Sequence, residues 1–237
     1  MTRGGARVLV VGATGEIGTL AVRGLDGRRC RTALAGRDRR RLADLAAATG
    51  SPARGMDAYD LQGCAGLAPW AAAALGGLDG VLVTVGVAAF GPAARVSDAA
   101  AEHLLTVNAL CPMAVLRGAA PVVGDGGFLA AVTGAVVDAP LTGTADYAAS
   151  KAALACWLGV LARELRKRRV AVVDARLPHL DTGFAARAAE GSPPPLPRPG
   201  DPAAAVSALL DRLLAPAAPA TPLTTPLWRP GPAEQTR

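Results

Sequence analysis

Seven residues near the amino terminus, Gly12-Ala13-Thr14-Gly15-Glu16-Ile17-Gly18, constrain the fold more than any other stretch. They follow a short apolar run, residues 7–11 (RVLVV), and lead into a segment whose Leu20, Ala21 and Leu25 recur at helical spacing. The order is strand, glycine turn, helix. Glycines in that order let the backbone turn tightly, let a diphosphate approach closely and let the helix pack on the sheet, while the first N–H groups of the helix face the phosphate charge. Three glycines at this spacing also describe an ordinary strand-to-helix turn, but the strand context favours the nucleotide reading. Gly12, Thr14, Gly15, Glu16, Ile17 and Gly18 are therefore candidate cofactor contacts.

The alternation repeats along the chain. Further strands are expected at residues 31–35, at the end formed by Met56-Asp57-Ala58, and at 80–84 (GVLVT), 127–133 and 170–175. Helices are expected after Arg39 with the stripe Leu42, Leu45 and Ala46, at 61–75 with Trp70, from near Asp98 through Leu104, Val107 and Val115, from Tyr147 to the basic cluster 166–169, and at 203–214. Such alternation implies a doubly wound parallel α/β sheet with helices on both faces. One domain over residues 1–215 accounts for it, without internal repeats. The Pro- and Gly-rich stretch 184–202 is too long for a plain connector and is expected to form a lid, extending over about 180–202. Residues 216–237 read as a Pro-rich tail with an edge strand near 223–228 and a disordered end.

Composition narrows the partners. The formal charge is +6, almost wholly from arginine, since Lys151 and Lys167 are the only lysines. The arginines are scattered and lack interleaved aromatics for base stacking, which argues against a nucleic-acid surface. Cys30, Cys64, Cys111 and Cys156 stand apart, without a metal-like spacing, and read as small buried hydrophobes in a reducing compartment. No metal site is expected. The chain enters a strand without a leader pattern, and no apolar run approaches a membrane span, so a cytoplasmic location is expected.

Two further sites carry chemistry. About twenty residues past the glycine loop, where an acidic residue would hold the ribose 2′-hydroxyl of NAD, the chain has Gly36 followed by Arg37. A guanidinium there suits a 2′-phosphate and hence NADP; Arg39, Arg40 and Arg41 are equally the solvated start of the next helix. Asp57 is either an acceptor for an adenine amine or a solvated loop aspartate. Tyr147-Ala148-Ala149-Ser150-Lys151 opens a long apolar helix and puts Tyr147 and Lys151 on one face. Tyrosine has a pKa of about 10 and needs help to act near neutrality. A neighbouring ammonium supplies that help, although Tyr and Lys at this spacing often just pack ring under stem. Asn108, in an otherwise apolar helix, needs a partner, whether backbone or a water beside the site.

This combination resembles the short-chain dehydrogenase/reductase family over almost the whole chain. The resemblance implies a Rossmann fold binding NADP(H), with hydride passing between nicotinamide and a carbonyl carbon while Tyr147 passes the proton. It implies that Lys151 holds the nicotinamide ribose and lowers the pKa of Tyr147, and that Asn108 positions a water linking Lys151 to solvent. Pro178 matches the proline bordering the nicotinamide, Thr182 the hydroxyl that contacts its carboxamide, and Gly86 the glycine of the motif after strand four. Departures are Glu16 where the commonest loop has glycine, Val83-Thr84-Val85-Gly86 after strand four, His179 where glycine usually follows the proline, and Gly134 at the usual position of the catalytic serine. Thr133 is the expected substitute donor. The resulting expectation is a ketone/secondary-alcohol oxidoreductase with a hydrophobic substrate, assembled as a homodimer or homotetramer. The alternatives are a cofactor-binding protein without redox turnover and a non-redox lyase or cyclase.

Overall fold

The computed structural model describes residues 5–215; the tail 216–237, with the edge strand expected near 223–228, lies outside the described residues. Six strands, β1 (Arg7–Val11), β2 (Arg31–Gly36), β3 (Ala53–Gly55), β4 (Gly80–Val83), β5 (Phe128–Val132) and β6 (Ala171–Ala175), pair in parallel in the order β3-β2-β1-β4-β5-β6. Strand order reverses between β1 and β4. In doubly wound sheets the crevice outside the strand C-termini at that reversal is where ligands bind.

Register fixes which side chains reach which face, because successive residues of a strand point opposite ways. Leu34, Val10, Leu82, Ala130 and Val173 lie in one row across the sheet. They are buried with residues of α1 (Glu16–Gly27), α2 (Arg39–Thr49) and α8 (Pro202–Leu214). The next row, Ala35, Val11, Val83 and Ala131, faces the other way. It packs under α4 (Leu67–Leu75), α6 (Cys111–Ala119) and α7 (Ala145–Glu164). That apolar row ends on β6 at Asp174, a carboxylate delivered by register to the α7 face.

The helix expected over 61–75 is two, α3 (Leu61–Ala65) and α4, because Gly66 interrupts it. The strand end expected at Met56-Asp57-Ala58 is instead the loop after β3. The run from α5 (Asp98–Leu105) to α6 is joined by a π-helical turn, Thr106–Leu110. Pro112 has no N–H to give the carbonyl of Asn108 four residues back, and Cys111 N instead bonds Thr106 O. This fused helix, Asp98–Ala119, is 22 residues with mean hydropathy 1.4, so by length and composition it is a span-like run, contrary to expectation. More than half of its apolar window is buried against the fold. Cys30, Cys64 and Cys111 are buried, with the thiols of Cys64 and Cys111 3.6 Å apart, whereas Cys156 is exposed.

Candidate active site

The glycine turn folds as its sequence requires. Gly12 sits at φ +86°, and a Cβ there would meet Thr84 Oγ1 at 2.8 Å and Val85 N at 3.0 Å. A Cβ on Gly18 would collide with the carbonyl of Gly12, so only glycine lets α1 start this close to the end of β1. Gly15 is the N-cap of α1 and offers no side chain to its first N–H groups, which leaves them for an anion. Glu16 and Gly15 are exposed, and Thr14 and Ile17 half-buried, at this rim. Thr84, in the departing motif after β4, donates its hydroxyl to Val11 O at 3.1 Å and Gly12 O at 3.2 Å. The altered motif thus ties the ends of β1 and β4 together.

At the end of β2, Arg37 is exposed. Asp38 caps α2 by accepting from Arg41 N at 3.0 Å, so Arg39 to Arg41 form the helix's first turn. Arg39 leans back to Gly55 at the end of β3. Asp57 uses one carboxylate oxygen to accept from Tyr59 N at 3.0 Å, as a turn aspartate does. Tyr59 stacks on His103 of α5, with its hydroxyl 2.7 Å from Nδ1.

Behind β4 the proposed proton-transfer residues converge. A Cβ on Gly86 would lie 3.1 Å from Lys151 Nζ and 3.5 Å from Asn108 Oδ1. Asn108, 0% exposed, accepts from Val87 N at 2.9 Å and donates to Val87 O at 2.9 Å and Ser150 Oγ at 3.0 Å. Ser150 in turn donates to Tyr147 O at 2.7 Å. This chain pins the first turn of α7 to the loop after β4. The carboxamide's donors are therefore spent on protein, not on the water that the resemblance assigned to it. Ser150 was missed from sequence although it sits inside YAASK.

Lys151 is 3% exposed and donates Nζ to Val132 O at 3.1 Å. Burial brings its pKa down to about 8, against the opposing pull of Asp174. Tyr147 lies edge-on to Phe90 and tilted to Phe184, with ring centroids 6.1 and 6.2 Å away. Burial pushes its pKa up to about 12. The expected lowering of the Tyr147 pKa by Lys151 is not seen in this structure: burial raises it, and the Lys151 ammonium is bonded to Val132 O.

Thr133 is also redirected. Its hydroxyl donates to Asp174 Oδ1, and Asp174 accepts from Arg176 Nε at 2.9 Å. A hydroxyl facing a carboxylate on β6 is not presented to a substrate oxygen. Gly134 adopts φ +100°, a conformation L side chains rarely take. Past β6, Pro178 is half-buried in the loop, and Thr182 Oγ1 accepts from Phe184 N at 3.4 Å.

Sheet order and the site at the strand reversal define a nucleotide-binding α/β protein of the dehydrogenase type. The model of the short chain dehydrogenase family matches residues 6–192, and the chain belongs to that family. Among solved structures it is similar to a short-chain oxidoreductase of Thermus thermophilus, at 30% identity, covering 87% of this chain and 95% of that one with a TM-score of 0.75. It is also similar to a short chain dehydrogenase of Burkholderia cenocepacia in complex with NADP, at 25% identity, 92% and 93% coverage and TM-score 0.79. A short-chain dehydrogenase/reductase of Serratia marcescens, at 21% identity, 90% and 92% coverage and TM-score 0.78, shares the fold. No curated protein matches the chain in sequence.

Proposed function

We propose that the protein is an NADP(H)-dependent oxidoreductase that interconverts a ketone and a secondary alcohol. The observation that carries this reading is the linked set Asn108–Ser150–Tyr147 with Lys151, held against Gly86 at the strand reversal. The fit for a dinucleotide rests on the uncapped first turn of α1 behind Gly12 and Gly18; Arg37, exposed after β2, is the candidate to receive a 2′-phosphate. The neighbour solved with NADP supports the same cofactor. When bound, the dinucleotide supplies or accepts the hydride.

The chain's own residues handle the proton and the geometry. Tyr147 donates its phenolic proton to the carbonyl oxygen as negative charge develops there, and takes it back in the reverse direction. Lys151, on the same helix face with Nζ bonded to Val132 O, would hold the nicotinamide ribose when the dinucleotide is bound. Asn108 and Ser150 hold the Tyr147 turn of α7 at a fixed distance from the loop after β4, so the proton moves from a preset position. With Thr133 turned to Asp174, Tyr147 is left as the principal donor to the oxygen. Phe90 and Phe184 flank its ring.

Tyr147→Phe tests this directly. General acid catalysis contributes about 10²- to 10⁴-fold, so kcat for ketone reduction should fall by at least about 100-fold while NADPH affinity is retained. Normal turnover by the variant would refute the reading. A homodimer or homotetramer belongs to the same proposal, supported by the exposed apolar side chains of Leu105, Leu110 and Val160 on the α5–α7 layer.

A further inference from the structure

Two of the chain's three phenylalanines flank Tyr147. They come from distant segments that are bonded to each other. Phe90 follows β4 and is buried. Phe184 begins the strap 184–191, which includes a short 3-10 turn at Ala185–Arg187. Ala189 N donates to Ala88 O at 2.7 Å, and Phe90 N to Glu190 O at 2.9 Å. The Glu190 carboxylate accepts from Ser97 N at 3.0 Å and from Ser97 Oγ. Gly191 completes the closure, because a Cβ there would collide with Phe90 O. The strap is thus fastened across the loop that carries Phe90, and both rings are held at fixed angles to the phenol.

With centroids 6.1 and 6.2 Å from the Tyr147 ring, these rings form apolar surface beside a carbonyl bound at the phenol. Their faces and edges favour flat, apolar groups in offset or edge-on contact. Of the strap's two charged side chains, Glu190 is taken by Ser97, and Arg187 is exposed with Nη1 against Gly183. Against the rings themselves, a charged or polyhydroxylated group would shed its hydration without a hydrogen-bond partner. We propose that Phe90 and Phe184 form an aromatic clamp that selects aryl ketones, an assignment that rests on the carbonyl reading above.

The test compares kcat/KM for acetophenone, 2-butanone and the anion of a 2-oxo acid with NADPH, in the full chain and in Phe184→Ala and Phe184→Leu. Acetophenone binding is followed in parallel by saturation-transfer NMR. Acetophenone should be the best substrate of the three, and Phe184→Ala should lower its kcat/KM by about 10- to 100-fold, much more than that of 2-butanone. Phe184→Leu, which keeps bulk without the ring, should fall between. Turnover with equal losses on both ketones, or a preference for the 2-oxo acid, would overturn the clamp and leave the redox reading standing. Acetophenone binding without turnover, abolished by Phe184→Ala, would uphold the clamp and overturn the redox reading. Absence of both binding and turnover of acetophenone would overturn the clamp.

Discussion

Lys151 shows how a functional residue works against stability. Its pKa falls from the ordinary 10.5 to about 8 through burial, a difference on the order of 3 kcal/mol at about 1.36 kcal/mol per unit. A lowered lysine pKa means the folded state releases a proton that the unfolded chain keeps between about pH 8 and 10.5, so stability rises with pH in that window. Below it the buried charge is a net cost. Lys151→Met should therefore melt higher than the parent at pH 7 while losing turnover, and its advantage should shrink as pH rises toward 10.5. Thermal unfolding across that range checks this, and a lower midpoint for the variant at pH 7 would contradict it. Tyr147, Lys151 and Asn108 were legible in the sequence because spacing along one helix and a lone polar residue in an apolar run are local signals. The direction of Thr133 was not, since it depends on Asp174, which the β5–β6 register pairs with Ala131, two residues before Thr133.

Two elements position the site, and they differ in how far sequence exposes them. The N-terminus of α1 is written in the glycine spacing, and the structure gives each glycine a physical duty. Gly18→Ala would drive its methyl into the Gly12 carbonyl. It should lower the unfolding midpoint and weaken NADPH binding by at least about tenfold, as read by thermal shift and fluorescence titration. Unchanged affinity would mean that the first turn of α1 does not hold the diphosphate. The π-helical turn at Thr106–Leu110 was not foreseen, although Pro112 was a usable signal: its missing N–H falls four residues after Asn108. Gly66 likewise marked the break between α3 and α4. In both cases the apolar periodicity continued through the interruption and hid it.

For the molecule as a whole, strand count and helix alternation sufficed to read a doubly wound parallel sheet, and its order places the reversal at β1 and β4. The strap's closure was not legible, because Ala189 and Glu190 pair with residues around Phe90, far away in sequence. Its proline and glycine content announced a long segment without saying where it lands. Assembly belongs to this scale too. Leu105, Leu110 and Val160 are 45%, 46% and 46% exposed, and light scattering should show a dimer or tetramer at micromolar concentration; a monomer would count against it. The central claim is that the reversal of the sheet holds NADP(H) beside Tyr147. Fluorescence titration of the full chain with NADPH and NADH tests it without knowledge of the substrate. NADPH should bind at least about tenfold tighter than NADH, with Arg37→Ala removing most of the difference. Binding of neither dinucleotide would contradict it.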